Sequence, residues 1–420
     1  MNQAAAPVAF HRIRVNLNEP VITDVRAHTD SALAGCGVAV APGDRVAIAV
    51  GSRGIRDLAT VVERVASWIR GQGGRPFLVP AMGSHGGATA AGQREVLESY
   101  GLGADDALPI VSCMDVVELP AGDCPVAVHT DAEAARASAT IVVNRVKPHT
   151  DFHGPYESGL MKMIAIGLGK QVQAEALHAY GQRGLRDLMP LVARHVLAHG
   201  NVILGVAIIE NALDATMAVE AVPAARIAAV EPGLLALARA HSPRLPMDRL
   251  DVLLVDRMGK DISGVGMDTN VIGRTMITGA EDPDGPHITM IGCHALTPAS
   301  HGNATGMGLA DVISATMADG IDHDVTRTNI ITSGFLLRGK LPVVAPDDRT
   351  VWEWCLRGAG VVDAAHVRAA RIVDTLHCAE LWVTDAVLAD LSQEVAAGRI
   401  YVVDSGLTLH DHDGRLTPFR

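Results

Sequence analysis

The chain is poor in aromatic residues, which make up 3% of its 420 positions. Its core must therefore be aliphatic, packed from Val, Ile, Leu and Ala. It has fewer basic than acidic residues. The formal net charge is −12 and no long basic run is present, which argues against nucleic acid or an anionic membrane as the partner, since both require clustered Lys and Arg. A small anionic substrate is not excluded, because a cleft can be locally positive inside an acidic protein. Cysteine is sparse. Cys36, Cys113, Cys124, Cys293, Cys355 and Cys378 form no CxxC pair and no disulfide framework, which fits free thiols in a reducing compartment. No apolar run is long enough to span a membrane, and the N-terminal stretch lacks the basic-then-apolar pattern of a secretory leader. A cytoplasmic location is the expectation. Several nucleotide and hydrolase motifs are missing too. Gly51-x-x-Gly54 and Gly167-Leu168-Gly169 are only fragments of a dinucleotide fingerprint, and neither a Walker A motif nor a GxSxG elbow is present. A conventional NAD dehydrogenase is poorly supported.

What is there suits a globular enzyme, with 48% hydrophobic and 20% charged residues. The length exceeds one ordinary core and implies two domains. Short β-branched runs alternate with amphipathic helical patterns. RVAIAV (45–50), PFLVPAMG (76–83), PIVSCMDV (109–116), TIVVNRV (140–146) and VILGVAIIE (202–210) read as strands, with helices over 56–70, near 90–99 and around 170–198. This alternation predicts an α/β fold of two domains, each a mostly parallel sheet flanked by helices, with the active site in the cleft between them. The proline-bearing stretch 241–251 marks the boundary. It gives an N-terminal cofactor-binding and catalytic domain over 1–247 and a C-terminal α/β domain over 248–400. The second domain opens with DVLLVDRMG (251–259) and has another strand near HITMIGC (287–293). Residues 401–420 form a tail, a strand and a turn, with the option of packing back on the N-terminal domain.

Polar groups gather just past three of the predicted strands. Gly51-Ser52-Arg53 follows the first, Gly83-Ser84-His85-Gly86-Gly87 the second, and Lys147-Pro148-His149 the TIVVNRV strand. In an open parallel sheet such loops converge on one crevice at the carboxyl edge. His85 is either an ordinary loop histidine or, flanked by glycines, a group held close to a ligand. His149 follows a proline and precedes Thr150, Asp151 and His153. With an unperturbed pKa of about 6.5 a histidine is a natural proton carrier at neutral pH, and Asp151 is near enough in sequence to orient it. Lys162 lies in the apolar run LMKMIAIGLG, so it either snorkels its ammonium to water or is held in a cleft as a usable amine. His178 stands alone on the following helix, with no HxxxH or HExxH partner, and read locally is structural or surface.

Taken in order, these residues resemble the lactate racemase family and its 2-hydroxy-acid epimerase relatives. The order is an arginine after the first strand, GSHGG after the second, a PH motif after a later one, then a lysine and, sixteen residues on, a histidine. The resemblance covers most of the first domain and is looser in the second, where Asp268-x-Asn270 is similar to a family DxN element. It implies that His85 and His149 are the two acid/base catalysts. It implies that Lys162 carries a nickel pincer nucleotide through a thioamide bond and that His178 is a ligand of the nickel. Arg53 would grip the substrate carboxylate with a planar fork, and Arg274 would join it. Accessory proteins that synthesise the cofactor are implied as partners.

The resemblance has departures. The loop TDFHGPYESGLM between His149 and Lys162 is longer than the Gly/Ser-rich loop of the lactate enzymes. After DxN, the Tyr, Gln and Lys of those enzymes are replaced by Ile272, Gly273 and Arg274 in VIGRTM. These point away from lactate, toward a larger or more polar 2-hydroxy acid such as malate or an aldonate. Two other readings stand beside this one. The first is a divalent-metal lyase or dehydratase of a sugar acid, using His294, His301, Asp311, Asp322 and His323. The second is a non-catalytic nucleotide-binding protein.

Overall fold

The computed structural model describes residues 8–52, 54–103 and 108–419. By contact the chain divides into two compact units. One runs from Glu19 to Ser242, and the other combines the chain up to Asn18 with everything from Pro243 onward.

Strand β1 (Ala9–Val15) belongs to the second of these. The Glu19–Ser242 unit contains β2 (Arg45–Val50), β3 (Arg75–Pro80), β4 (Val116–Glu118), β5 (His129–Asp131), β6 (Ala139–Arg145), β7 (Val202–Glu210) and β8 (Thr216–Pro223). Among the described residues it builds one five-stranded sheet in the order β3-β2-β6-β7-β8, with β4 and β5 paired apart from it. Its first four strands are parallel and β8 is antiparallel. Both faces are apolar, as the continuous Val/Ile/Ala runs require. Val46, Ile48 and Val50 pack with Val61, Val62 and Val65 of the helix Leu58–Gly71, while Ala47 and Ala49 join Leu160, Ile164 and Val192 on the opposite face.

Two expected elements are shorter than the sequence suggests. Of 109–116 only Ile110 bridges to Leu78 before β4 begins at Val116. Pro109 has no N–H to give a ladder, and Ser112 turns its hydroxyl to Ala90 O. The 170–198 pattern is a helix Lys170–His178, a break at Gly181 (φ +57), a π-type turn Gly184–Leu188 and a second helix Met189–His199.

The other unit contains β9 (Arg249–Val255), β10 (His287–Cys293), β11 (Val312–Ser314), β12 (Val343–Ala345), β13 (Ala369–Ile372), β14 (Glu380–Thr384) and β15 (Ile400–Thr408). Among the described residues these join β1 in an eight-stranded sheet, β12-β11-β10-β9-β13-β14-β1-β15. The first five are parallel, and β14, β1 and β15 continue antiparallel. The expected grouping of residues 1–247 therefore changes at its start. β1 hydrogen-bonds β14 on one side and β15 on the other, so both Ala9–Val15 and Ile400–Thr408 are built into this sheet. The chain after β15 is fixed there as well. Arg371, 1% exposed, makes a two-pronged pair with Asp256 (2.7 and 2.9 Å), donates to Thr417 O and stands 4.8 and 5.3 Å from the rings of Trp382 and Phe419, which pack against each other.

Removing one partner of a buried pair leaves the other charge uncompensated. Arg371→Met should lower the unfolding free energy in urea by about 3 kcal/mol and expose the segment after Thr408 to limited proteolysis. An unchanged midpoint with a protected tail would refute this role for Arg371.

Candidate functional site

Because β2, β3, β6 and β7 are parallel, they release the chain at one edge of their sheet, and the polar loops picked out from the sequence leave from there. After β2 the backbone passes through Gly51, where a Cβ would lie 2.4 Å from Asn144 Oδ1 and 2.6 Å from Met163 Cε. Only glycine fits that approach. Ser52 follows, and its Oγ shares a 2.6 Å hydrogen bond with His85 Nδ1. Arg53 lies outside the described residues. The loop after β3 turns through Gly83, Gly86 and Gly87, all at positive φ, and Ala88 at φ 54. A Cβ on Gly86 would stand 2.6 Å from Gly92 C and Gln93 N. His85 is thus carried on a tight turn with its Nδ1 held by Ser52.

The loop after β6 is closed at its base by paired backbone hydrogen bonds between Lys147 and Ser158. Inside it sits Glu157, fully buried. Its carboxylate accepts from His149 N (2.6 Å), Gly154 N (3.0 Å) and Arg239 (2.7 Å), and His153 Nδ1 lies 3.3 Å away. A buried carboxylate holding several donors fixes the shape of a loop that has little other secondary structure. Within it the His149 ring lies tilted on Phe152, with centroids 4.6 Å apart. Its Nδ1 accepts from Asp151 N–H (3.0 Å), and its Nε2 is 2.6 Å from Lys162 Nζ. The two nitrogens share one proton across that contact.

Lys162 ends the short turn Leu160–Lys162, which runs into a π-type segment, Met163–Gly167. Such widened turns are frequent at functional sites. The turn starts on a second buried carboxylate, Glu231, which accepts from Met161 N (2.8 Å) and from Leu160 N–H. Burial pushes Glu231 up to about 7. A Cβ on Gly159 would meet its Oε1 at 2.3 Å. The segment also ties the loops together, since Met163 lies against Gly51, and Gly83 N donates to Gly167 O.

His178 closes the helix Lys170–His178. Its Nδ1–H donates to Ala174 O at 2.6 Å, so Nε2 presents a lone pair. Its side chain is exposed, yet the surrounding chain is dense enough that desolvation is the first cause of a lowered pKa, with the charge of Lys162 also lowering it and Asp151 raising it. An imidazole fixed through one nitrogen to a carbonyl, with the other bare, is set up as a metal ligand. His149, Lys162, His178 and Asp151 thus come together, and the Ser52–His85 pair adjoins them through Gly51 and Gly83.

The sequence-derived residues of the other unit do not behave this way. Arg274 donates to Asp311 Oδ2 (2.8 Å) and to the carbonyls of Leu309, Ile288 and Thr289. Those lie at the start of β10 and just before β11, the edge opposite to the one where ligands bind. Its guanidinium is a structural tie, a correction to its expected place on a substrate. Asp268 caps the turn Thr269–Ile272 and also holds Asn270, so the DxN element is a helix start. The cluster considered for a divalent metal does not assemble. His294 pairs with Asp348, Asp311 with Arg274, and Asp322 caps the helix His323–Ser333. Among the described residues no group of three His, Cys, Asp or Glu side chains is placed to hold a metal.

No family model matches the chain, and no curated protein matches it. Solved structures do. The lactate racemase apoprotein from Thermoanaerobacterium thermosaccharolyticum aligns over 87% of this chain and 94% of its own, at 11% identity and a TM-score of 0.52. The chain has a lactate racemase-like fold. A protein from Thermotoga maritima aligns over 64% of this chain and 69% of its own, at 13% identity and a TM-score of 0.43. The mostly parallel sheets flanked by helices expected from the sequence are those of the lactate racemase-like fold. Glu157, Glu231 and the Ser52 contact went unnoticed in the sequence. Ser52 and Glu231 act through partners distant in the chain, and only the position of Glu157 inside the lengthened loop offered a signal.

Glu231 is raised in the folded state, so its contribution to stability is complete below its unfolded value near 4.5 and is lost as pH rises through about 7. The expected loss between about pH 5 and 8 is on the order of 3 kcal/mol, read from urea midpoints. In Glu231→Gln that slope should flatten, and an identical slope in both proteins would show that Glu231 does not cause it.

Proposed function

We propose that the chain is a racemase or epimerase inverting C2 of a small anionic 2-hydroxy acid, and that Lys162 and His178 hold a nickel pincer nucleotide. The observation that carries this reading is the Lys162–His149 contact, 2.6 Å between Nζ and Nε2. It sets the amine beside an imidazole at the centre of the carboxyl-edge loops, where a base can take the proton that covalent attachment of a cofactor requires the amine to lose. The rest of the donor set fits the group. His178 offers one bare imidazole nitrogen, and a metal already held by the sulfur and carbon of a pincer needs a single protein ligand rather than the three or four of an all-protein site. The lactate racemase-like fold agrees with it.

When bound, the nickel pincer nucleotide supplies a hydride acceptor. That chemistry suits the substrate class, because the carboxylate beside C2 disfavours the carbanion that simple proton abstraction would create. The protein's own residues handle the proton and the orientation. His85, fixed by Ser52 at Nδ1, takes or returns the hydroxyl proton at Nε2. His149, fixed by the Asp151 N–H at Nδ1, does the same at its Nε2. Attachment at Nζ consumes the basicity of the amine that now faces His149, leaving that nitrogen to exchange a proton with substrate. Two histidines, one for each face of a 2-keto acid that reorients between them, are what inversion needs. Arg53 grips the carboxylate, and the preferred substrate is malate or an aldonate rather than lactate. The remaining partners are the proteins that make the cofactor. The location is the cytoplasm, where the six free cysteines stay reduced. Among the described residues no helix is long and apolar enough to cross a membrane.

Co-production with cofactor-making enzymes should yield a chain whose intact mass shows an adduct at Lys162, with about one nickel per chain. Lys162→Ala should carry none. An unmodified, nickel-free chain under conditions that load a known racemase would sink the proposal. His85→Ala or His149→Ala should keep the adduct and lose about a thousandfold in turnover. Turnover in D₂O should leave C2 free of deuterium, whereas wash-in at C2 would indicate proton abstraction and a different class of enzyme.

A further inference from the structure

Three side chains behind the His85 loop form a chain of contacts that the proposed reaction does not use. Asp131, Lys170 and Gln93 are each 0% exposed. Lys170 Nζ donates to Pro80 O (2.5 Å) and to Gln93 Oε1 (3.1 Å). It also lies 2.9 Å from Asp131 Oδ2, at an angle poor for a hydrogen bond, so that attraction is coulombic. Asp131 Oδ1 meanwhile accepts from Glu133 N and Ala134 N. On its far side Gln93 Nε2 donates to Gly83 O (2.8 Å) and His85 O (3.2 Å). The orientation of this amide is dictated by chemistry. An ammonium can only donate and a backbone carbonyl can only accept, so Oε1 must face Lys170 and Nε2 must face the loop.

Lys170 is an expensive residue to keep here. A buried ion pair gives little net stability over apolar packing. Its φ of 54 is left-handed, a conformation that L side chains rarely adopt. It also begins the helix that ends in His178, where a positive charge opposes the helix dipole. Strain and buried charge that stability does not explain point to a positioning task.

We infer that Gln93 and Lys170 are positioning residues for His85. Gln93 converts the donors of a buried ammonium into a clamp on the two carbonyls that frame the His85 turn, and Asp131 keeps that ammonium in place. Because Lys170 heads the helix of His178, the same clamp fixes that helix against the Gly83–His85 turn. The inference rests on the reading of His85 as an acid/base, but its test does not depend on turnover alone.

Two variants separate it from a general role in folding. Gln93→Glu is isosteric and retains an oxygen for Lys170, yet sets a carboxylate oxygen against two carbonyls. The double variant K170M/D131N removes both buried charges at once and leaves an amide to cap the turn after Asp131. The full chain is labelled with ¹⁵N in its histidine rings, and the His85 signals are assigned with H85Q. In both variants His85 should lose the Nδ1 shift of its bond to Ser52 and its titration midpoint should move, while the His149 signals stay and the thermal midpoint remains close to wild type. In cofactor-loaded protein kcat should fall about a hundredfold with KM little changed. Unaltered His85 signals in the folded Gln93→Glu protein overturn the inference. Displaced signals in a protein that turns over no 2-hydroxy acid support the positioning and reject only the racemase reading.

Discussion

Parallel pairing of β2 with β3 and β6, and of β6 with β7, obliges four segments of chain to finish at one edge of one sheet. With both faces of that sheet buried under aliphatic side chains, the edge is where polar chemistry has room. Everything in the candidate site follows from it. Ser52, His85 and His149 lie within a few residues of the ends of β2, β3 and β6, and Lys162 arrives on a turn that runs into Met163, packed against Gly51. The glycines at 51 and 83 reflect the same crowding, because a Cβ there would press on Asn144 and Met163 or on Ile166.

Rigidity comes from a different source. Glu157 accepts from two backbone N–H groups as well as Arg239, Glu231 accepts from Met161 N, and Gln93 directs its nitrogen at backbone carbonyls. Loops cannot rely on a ladder for their hydrogen bonds, so the required partners come from side chains buried beneath them. A carboxyl group taken out of water either gathers donors, as Glu157 does, or is pushed toward its protonated form, as Glu231 is. The arrangement therefore holds as a set: displacing the loop strands the acid, and removing the acid strands the loop.

The strands and the order of the site loops were legible in the sequence, because both depend on neighbours along the chain. β-branched runs identify β2, β6 and β7, and a glycine-flanked histidine or a Pro-His pair identifies a turn at a strand end. The supporting residues were not legible. Lys170 follows Gly-Leu-Gly without any local mark, and its partners Gln93 and Asp131 are remote in sequence. Arg274 misled for the same reason. Next to a DxN element it invites a carboxylate, but its carboxylate is Asp311, 37 positions away and on the wrong edge of the sheet. β1 is misplaced for a third reason. A strand's pattern shows that it pairs, never with what.

The place of β1 bears on how the protein is made. It lies between β14 and β15, so the eight-stranded sheet cannot close until Ile400–Thr408 has been synthesised. The Glu19–Ser242 unit is a contiguous insertion and has all of its strands long before that. At about 5–20 residues per second, a ribosome leaves β1 without its partners for on the order of tens of seconds while the inserted unit is already able to fold. The first strand to emerge is therefore among the last to be paired, and during that interval its backbone edges are open to any other nascent chain on the same message.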